Sequence, residues 1–84
     1  MKDITIDTGP LCGVCDAAKK LLARNNAEYK EINIATVDGA MDEMIAKANG
    51  KKTVPQIFFD DHHIGGYDDV RALEKENKLQ DLLK

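Results

Sequence analysis

The chain has 84 residues, of which 43% are hydrophobic and 32% are charged, and its formal net charge is −3. At this length about 60 to 65% of the unfolded surface can be buried, so we expect one domain over residues 1–84 and no second domain. Both charge signs are mixed along the chain and no apolar run approaches the roughly 20 residues that cross a bilayer, which argues against nucleic-acid and membrane partners.

The first predicted element is a strand over Lys2 to Asp7, because apolar and polar residues alternate there. The strand directs Ile4 and Ile6 to the core, and Gly9 and Pro10 end it. The same stretch lacks the apolar region of a secretory signal, so we expect a cytoplasmic protein, whose thiols are kept reduced.

An amphipathic helix is predicted from Gly13 to the pair Asn25-Asn26. Its apolar stripe is formed by Val14, Ala18, Leu21 and Leu22. A second strand is predicted over Glu28 to Ile34, where the alternation resumes. Strand, helix and strand with short connections indicate a right-handed βαβ unit with parallel strands.

A second helix is predicted to begin at an Asp38 cap and to end at Asn49-Gly50. Its apolar stripe is formed by Met41, Met44, Ile45 and Ala48. The run Gln56 to Phe59 and the later Ile64 then predict a β-hairpin, with Asp60 to His63 in a solvated turn.

Gly65-Gly66 end the return strand, and Asp68 and Asp69 begin a last helix, followed by a final amphipathic turn or two at Leu79 to Leu83. The order β-α-β-α-β-β-α indicates an α/β fold in which a mixed four-stranded sheet lies between helices in three layers. The loops from strand to helix then gather at the carboxyl edge of the parallel strands.

The only two cysteines, Cys12 and Cys15, lie at the predicted start of the first helix. A helix N-terminus favours the reactive thiolate, so we assign Cys12 as the nucleophile and the more covered Cys15 as the residue that resolves a mixed disulfide. A C-x-x-C pair beside a βαβ unit is typical of a thioredoxin-like redox site. The alternative is half of a zinc site, for which the adjacent His62 and His63 are poorly placed.

Three motifs occur in order: C-G-V-C at residues 12–15, Thr53-Val54-Pro55, and Gly65-Gly66-Tyr67-Asp68-Asp69. With this spacing, over essentially the whole chain, the sequence resembles the glutaredoxins of the thioredoxin superfamily. The resemblance implies the thioredoxin-like (glutaredoxin) fold, glutathione as a co-substrate and no tightly bound cofactor.

The resemblance also implies a glutathione site formed by Thr53, Val54, Pro55, Gly66, Tyr67 and Asp68. In that site Pro55 is cis and faces the cysteines, and the Val54 backbone pairs with the cysteinyl part of glutathione. The amides of Tyr67 and Asp68 receive the γ-glutamyl carboxylate, and the Asp68 side chain lies near the ammonium. Lys51 and Lys52 could help to hold the glycine carboxylate.

The chain departs from the usual family pattern in two places. Gly13 and Val14 replace the Pro-Tyr of C-P-Y-C, and Gly9 stands where a basic residue is common. We therefore expect a weaker glutathione site or a less stabilised Cys12 thiolate. Family members with glycine at the position of Gly13 can hold a [2Fe-2S] cluster between two protomers, and Cys12 is the metal ligand if such a cluster binds.

We predict a glutathione-dependent thiol-disulfide oxidoreductase, acting as a monomer on protein disulfides and glutathione mixed disulfides through Cys12 and Cys15. Its predicted partners are glutathione and disulfide-containing or glutathionylated proteins. Two alternatives stay open: a [2Fe-2S] cluster carrier or scaffold, and a thioredoxin-like electron donor, for example to ribonucleotide reductase.

Overall fold

The computed structural model describes residues 2–84. Its elements in chain order are β1 (Ile4–Thr8), α1 (Gly13–Arg24), β2 (Tyr29–Asn33), α2 (Ala40–Lys47), β3 (Gln56–Phe59), β4 (His62–Gly65), α3 (Tyr67–Lys75) and α4 (Leu79–Leu83). The predicted order is confirmed, and the last apolar turns form a short helix of their own. No helix within residues 2–84 is both long enough and apolar enough to cross a membrane.

The four strands form one mixed sheet in the order β2-β1-β3-β4. Strand β1 runs parallel to β2, as the βαβ prediction requires, and antiparallel to β3, which pairs antiparallel with β4. In the β1–β3 register Ile6 lies opposite Ile57, and Asp7 lies opposite Gln56. The expected α/β fold with a mixed four-stranded sheet is therefore confirmed.

One face of the sheet packs against α1, α3 and α4. The buried cluster on this face comprises Ile4, Ile6, Ala18, Leu21, Leu22, Ala27, Ile57, Phe59, Val70, Leu79 and Leu83. Burial of apolar surface stabilises by roughly 25 cal/mol per Å², so we expect this cluster to supply much of the folding free energy. An ion pair on the surface, between Arg24 of α1 and Glu74 of α3 at 2.6 Å, joins two of these helices.

Helix α2 covers the opposite face. Side chains alternate along a strand, so Thr5 and Asp7 of β1 and Phe58 of β3 lie on the side of α2. Met44 of α2 is fully buried there, and Asp7 is only 6% exposed. The polar side predicted for the first strand is therefore covered, and the sheet lies between two layers of helix.

Two residues that were assigned to apolar helix stripes are exposed: Val14 by 52% and Met41 by 46%. In the first turn of α1 the buried position belongs to Cys15, one residue later. In α2 the buried stripe is Ala40, Met44 and Ala48. The rest of the helical spacing is confirmed at Ala18, Leu21 and Leu22 of the first helix and at Met44 and Ala48 of the second, all of which are buried.

The prediction that Asp38 caps α2 is wrong. The N-cap residue is Gly39, whose φ of +75° lies in the left-handed region and which makes no side-chain cap hydrogen bond. The Ala40 amide instead donates to the Val37 carbonyl at 3.2 Å, so the preceding turn satisfies it. The predicted ends of the helices are confirmed, since Asn26 and Asn49 adopt left-handed φ angles of +59° and +58°.

The two histidines belong to strand β4 and not to the turn. The hairpin turn contains only Asp60 and Asp61, and pairing resumes with His62 opposite Phe59. Two-residue turns are the commonest connections in β-hairpins, so strand pairing can resume directly after Asp61. As a result His62 is exposed, whereas His63 is partly buried.

We expect Leu21→Ala to lower the free energy of unfolding by about 3 kcal/mol, because Leu21 is fully buried and truncation leaves a cavity. Chemical denaturation monitored by circular dichroism measures this. Leu11→Ala is the matched control, because the Leu11 side chain is fully exposed and its loss should change stability by less than about 0.5 kcal/mol. Equal effects of the two substitutions would contradict the placement of the core.

Candidate functional site

Cys12 and Cys15 lie at the start of α1 and are joined by a disulfide, with their Cα atoms 5.2 Å apart. Cys12 is the N-cap residue and has an extended backbone. Its Sγ accepts a hydrogen bond from the backbone amide of Cys15 at 3.0 Å. Cys15 is only 2% exposed, whereas Cys12 is partly exposed. Of the two sulfurs, Cys12 Sγ is therefore the one that a substrate can reach.

The position of Cys12 suits thiolate chemistry. The N-terminal amides of a helix carry partial positive charge, and one of them already donates to Cys12 Sγ. This contact stabilises a negative charge on the sulfur when the disulfide is reduced. A stabilised, accessible thiolate next to a second, buried thiol can exchange with a substrate disulfide and then close into the Cys12–Cys15 disulfide.

The loop before α1 packs closely against the segment that contains Val54. A Cβ added to Gly9 would lie 3.3 Å from Val54 Cγ2, which is tighter than an ordinary contact. A larger residue at position 9 would therefore push against the Val54 side chain. Gly9, which stands where the family pattern commonly has a basic residue, thus lies where the loop before α1 approaches the Val54 segment closely.

The second and third sequence motifs line one open groove, together with the first turn of α1. Its lining residues are Val14, Lys51, Thr53, Val54, Pro55, Gln56, Gly66, Tyr67, Asp68 and Asp69. All six residues predicted to bind glutathione are among them. Of the two lysines considered in the sequence, Lys51 lines the groove and Lys52 does not.

The bond between Val54 and Pro55 is cis, as the resemblance implied. Pro55 is buried and Val54 is partly exposed. A Cβ added to Gly66 would lie 3.4 Å from the Pro55 carbonyl oxygen, so the turn before α3 packs directly on this segment. The chain around Pro55 therefore packs against the loop that precedes Cys12, at Gly9, and against the turn before α3, at Gly66.

The first residues of α3 line the groove and have backbone amides without a partner inside the helix. Asp69 Oδ2 accepts a hydrogen bond from the Gly66 amide at 2.9 Å, and Gly65 has a φ of +130°. A side chain at Gly65 would collide with the Asp69 carboxylate, so glycine is required there. Asp69 thus caps the turn, while Tyr67 and Asp68 start the helix with amides that have no partner within it.

Two residues that support the groove were not identified from the sequence: Gln56 and His63. Gln56 is 2% exposed, and its side-chain Nε2 donates to the Thr53 carbonyl at 2.9 Å. Its Oε1 lies 2.6 Å from His63 Nε2, and His63 Nδ1 lies 3.3 Å from Asn49 Nδ2. A chain of hydrogen bonds therefore runs from the end of α2 through β4 and β3 to the Thr53 segment. The signal in the sequence was a single glutamine that opens an otherwise apolar strand.

A metal site is not formed by these groups. Within residues 2–84 no three His, Cys, Asp or Glu side chains converge closely enough to hold a metal ion. His63 is engaged with Gln56 and Asn49, and His62 is an exposed strand residue. The histidine pair therefore does not supply the missing ligands of the zinc alternative.

Comparison with known proteins identifies relatives of the whole chain. The glutaredoxin family model matches residues 2–64. A probable glutaredoxin of Synechocystis is 46% identical over 80 residues, which cover 95% of this chain and 91% of that protein. The solution structure of a Brucella melitensis glutaredoxin has a TM-score of 0.86 at 46% identity and covers 100% of this chain and 90% of that one. A buckwheat glutaredoxin–glutathione complex has a TM-score of 0.86 at 28% identity, over 98% of this chain and 76% of that one.

We expect the His63 ring to carry its proton on Nε2. Gln56 Nε2 donates to Thr53, so Gln56 Oε1 faces His63 as an acceptor, and His63 Nδ1 accepts from Asn49. Nitrogen NMR of labelled imidazole measures the tautomer. Gln56→Leu should weaken the preference, which then rests on Asn49 alone, and cost about 1 to 2 kcal/mol, because it removes the hydrogen bonds to Thr53 and His63. Protonation at Nδ1 in the unaltered chain would contradict this network.

Proposed function

Since the chain belongs to the glutaredoxin family and its cysteine pair makes it a thiol-disulfide oxidoreductase, we propose that it depends on glutathione and reduces protein disulfides and glutathione mixed disulfides. The observation that carries this proposal is the groove beside α1. The groove is lined on one side by the chain segment Thr53–Pro55 and on the other by the start of α3, where the amides of Tyr67 and Asp68 have no partner within the helix. The relative solved as a glutathione complex supports the choice of ligand.

The proposed reaction begins with the Cys12 thiolate. It attacks one sulfur of the substrate disulfide, and the other sulfur leaves as a thiolate that takes up a proton. Cys15 then attacks Cys12 Sγ, releases the substrate and leaves the Cys12–Cys15 disulfide that the structure contains. Two glutathione molecules restore the dithiol and leave as oxidised glutathione, so electrons and protons balance.

The second route uses glutathione in place of Cys15. When the substrate is a glutathionylated protein, Cys12 takes over the glutathione and the protein thiol leaves. A second glutathione thiolate then attacks the mixed disulfide and regenerates Cys12. The burial of Cys15, which is 2% exposed, is consistent with a residue that reacts only with its neighbour.

Glutathione is proposed to lie extended along the groove. The Val54 backbone pairs with its cysteinyl part, and the free amides of Tyr67 and Asp68 bind the γ-glutamyl carboxylate. We propose that the exposed Asp68 carboxylate pairs with the ammonium and that Lys51, which lines the groove, binds the glycine carboxylate. Gly9 contributes no charge, so we propose that Lys51 is the main basic contact of the ligand.

The two alternatives use the same sulfur. A [2Fe-2S] cluster carrier rests on Gly13, where an added Cβ would meet no other atom within 4 Å, so the space beside Cys12 is open. The open space beside Cys12 would admit a disulfide substrate equally well. The buried Cys15 beside it has a role in the proposed redox reaction but none in holding a cluster through Cys12. A thioredoxin-like donor, for example to ribonucleotide reductase, would differ in being restored by a flavoprotein reductase. The proposed activity implies a reducing compartment such as the cytoplasm and is complete in a monomer.

We expect Cys12→Ser to abolish reduction of both substrate classes, because no other thiol can start the exchange. Cys15→Ser should retain activity on a glutathionylated peptide and lose reduction of protein disulfides that need the dithiol route. An assay coupled to glutathione and glutathione reductase measures both. If Cys12→Ser kept full activity, the proposed mechanism would be wrong; restoration only by a flavoprotein thiol reductase would favour the thioredoxin-like alternative.

We expect Asp68→Asn to raise the KM for a glutathione mixed disulfide about tenfold with little change in kcat, because it removes a charge-assisted contact to the ammonium. Asp42→Asn is the matched control. Asp42 is an exposed carboxylate on α2 that does not line the groove, so its loss removes the same charge without a ligand contact. Equal changes in KM for both variants would indicate a general charge effect and contradict the proposed contact.

A further inference from the structure

A second cavity lies on the other face of the sheet, between β1, β3 and α2. It has a volume of about 110 Å³ and is partly enclosed. Cavities of about 150 Å³ are known to hold a benzene molecule, so this one has room for a short alkyl chain. None of its lining residues lines the groove of the proposed glutathione site. We call it the acidic cavity, because Asp7, Asp38, Glu43, Asp60 and Asp61 line it.

The buried carboxylate of Asp7 lines this cavity and has no hydrogen-bond donor among residues 2–84. The residue is only 6% exposed, and no group within residues 2–84 donates a hydrogen bond to its carboxylate. Every fully enclosed polar side-chain atom among residues 2–84 has a hydrogen-bond partner. Because the Asp7 oxygens have none, they are not fully enclosed but open into the cavity that Asp7 lines. A buried carboxylate without a donor is costly, and a bound cation would relieve that cost.

The surroundings of Asp7 are predominantly negative. Lys47 is the one basic side chain among the described lining residues, and its Nζ pairs with Glu43 Oε1 at 2.9 Å on the surface of α2. Burial and the neighbouring charge of Glu43 raise the pKa of Asp7 to about 6, and Lys47 opposes this only in part. Asp7 is therefore mostly ionised at pH 7.5, and it forms no ion pair with another side chain of residues 2–84.

The walls of the cavity are apolar. Ile32 of β2, Phe58 of β3 and Val37 before α2 line it beside the carboxylates. A metal ion does not suit this arrangement, because no three ligating side chains converge within residues 2–84. Apolar walls that lead to one buried carboxylate match a ligand with a slender aliphatic stem and a compact cationic end.

We propose that the acidic cavity binds a primary alkylammonium group, with its nitrogen paired to Asp7 and its methylenes packed against Ile32 and Phe58. The cation replaces the donor that Asp7 lacks within residues 2–84, and the alkyl stem removes the apolar cavity wall from water. Such a group occurs on free amines and on the lysine side chains of proteins. Binding requires ionised Asp7, so affinity should fall as the pH drops below about 6.

The test is a titration of the full chain with n-butylammonium chloride at pH 7.5 and low salt, followed by amide NMR. We expect saturable shifts of the signals around Asp7, Ile32 and Phe58, and an affinity at least about tenfold weaker in Asp7→Asn. Asp42→Asn, an exposed carboxylate of α2 that does not line the cavity, should bind normally. The uncharged isostere n-butanol should not saturate the same signals.

Asp7→Asn is expected to fold. Because the folded-state pKa of Asp7 is raised, ionisation of this group costs stability as the pH rises from about 4 to 6, and a neutral amide avoids that cost. A measurement on the unaltered chain gives a second check: the carboxyl carbon of Asp7 should titrate at a lower pH when the amine is present. An unchanged titration, or shifts that never saturate, would overturn the proposal.

A parallel titration with a short peptide that contains one lysine distinguishes the two sources of the ligand. Saturable binding of the peptide at the same residues would support a lysine side chain of a partner protein as the occupant. Binding of the free amine alone would support a small-molecule ligand. Absence of both would overturn the proposal, whatever the outcome of the glutathione assays, because the two sites share no residue.

Discussion

The antiparallel pairing of β1 with β3 is the constraint on which the site depends. Its register sets Asp7 opposite Gln56, so the chain that leaves β1 toward Cys12 runs beside the chain that enters β3 from Pro55. The hairpin from β3 to β4 then returns Gly66 to the Pro55 carbonyl. Three motifs that are far apart in sequence meet because one strand, β3, is paired along both edges. A shift of one residue in this register would turn Gln56 toward the core and separate the cysteines from the groove.

The two faces of the sheet have different physical roles. The face toward α1, α3 and α4 is apolar and supplies most of the buried surface, whereas the face toward α2 carries the polar side chains Asp7 and Gln56. Each of these is buried, but among residues 2–84 only Gln56 has side-chain partners, Thr53 and His63. Helix α2 therefore adjoins two polar features, the hydrogen-bonded support of the groove at Asn49 and the acidic cavity at Glu43.

Local patterns predicted the elements well but failed where a neighbouring segment decided the outcome. Val14 fits an apolar helical stripe, yet α1 turns Cys15 inward at that level. Asp38 is a good cap residue, yet the preceding turn already satisfies the Ala40 amide. His62 and His63 follow a turn signal, yet a two-residue connection returns them to the sheet. Each failure concerns a choice between two locally acceptable conformations, which neither periodicity nor cap preference decides.

The sequence by itself determined the order of the elements, the ends of the first two helices and the placement of Cys12 at a helix start. These depend on interactions between residues a few positions apart, which periodicity and turn chemistry report directly. Only the tertiary structure decided that Gln56 and His63 support Thr53, that Lys51 and not Lys52 lines the groove, and that a cavity opens over Asp7. A hydrophobic pattern shows which side of an element is buried but not what covers it, because strand register and helix rotation are set by contacts distant in sequence.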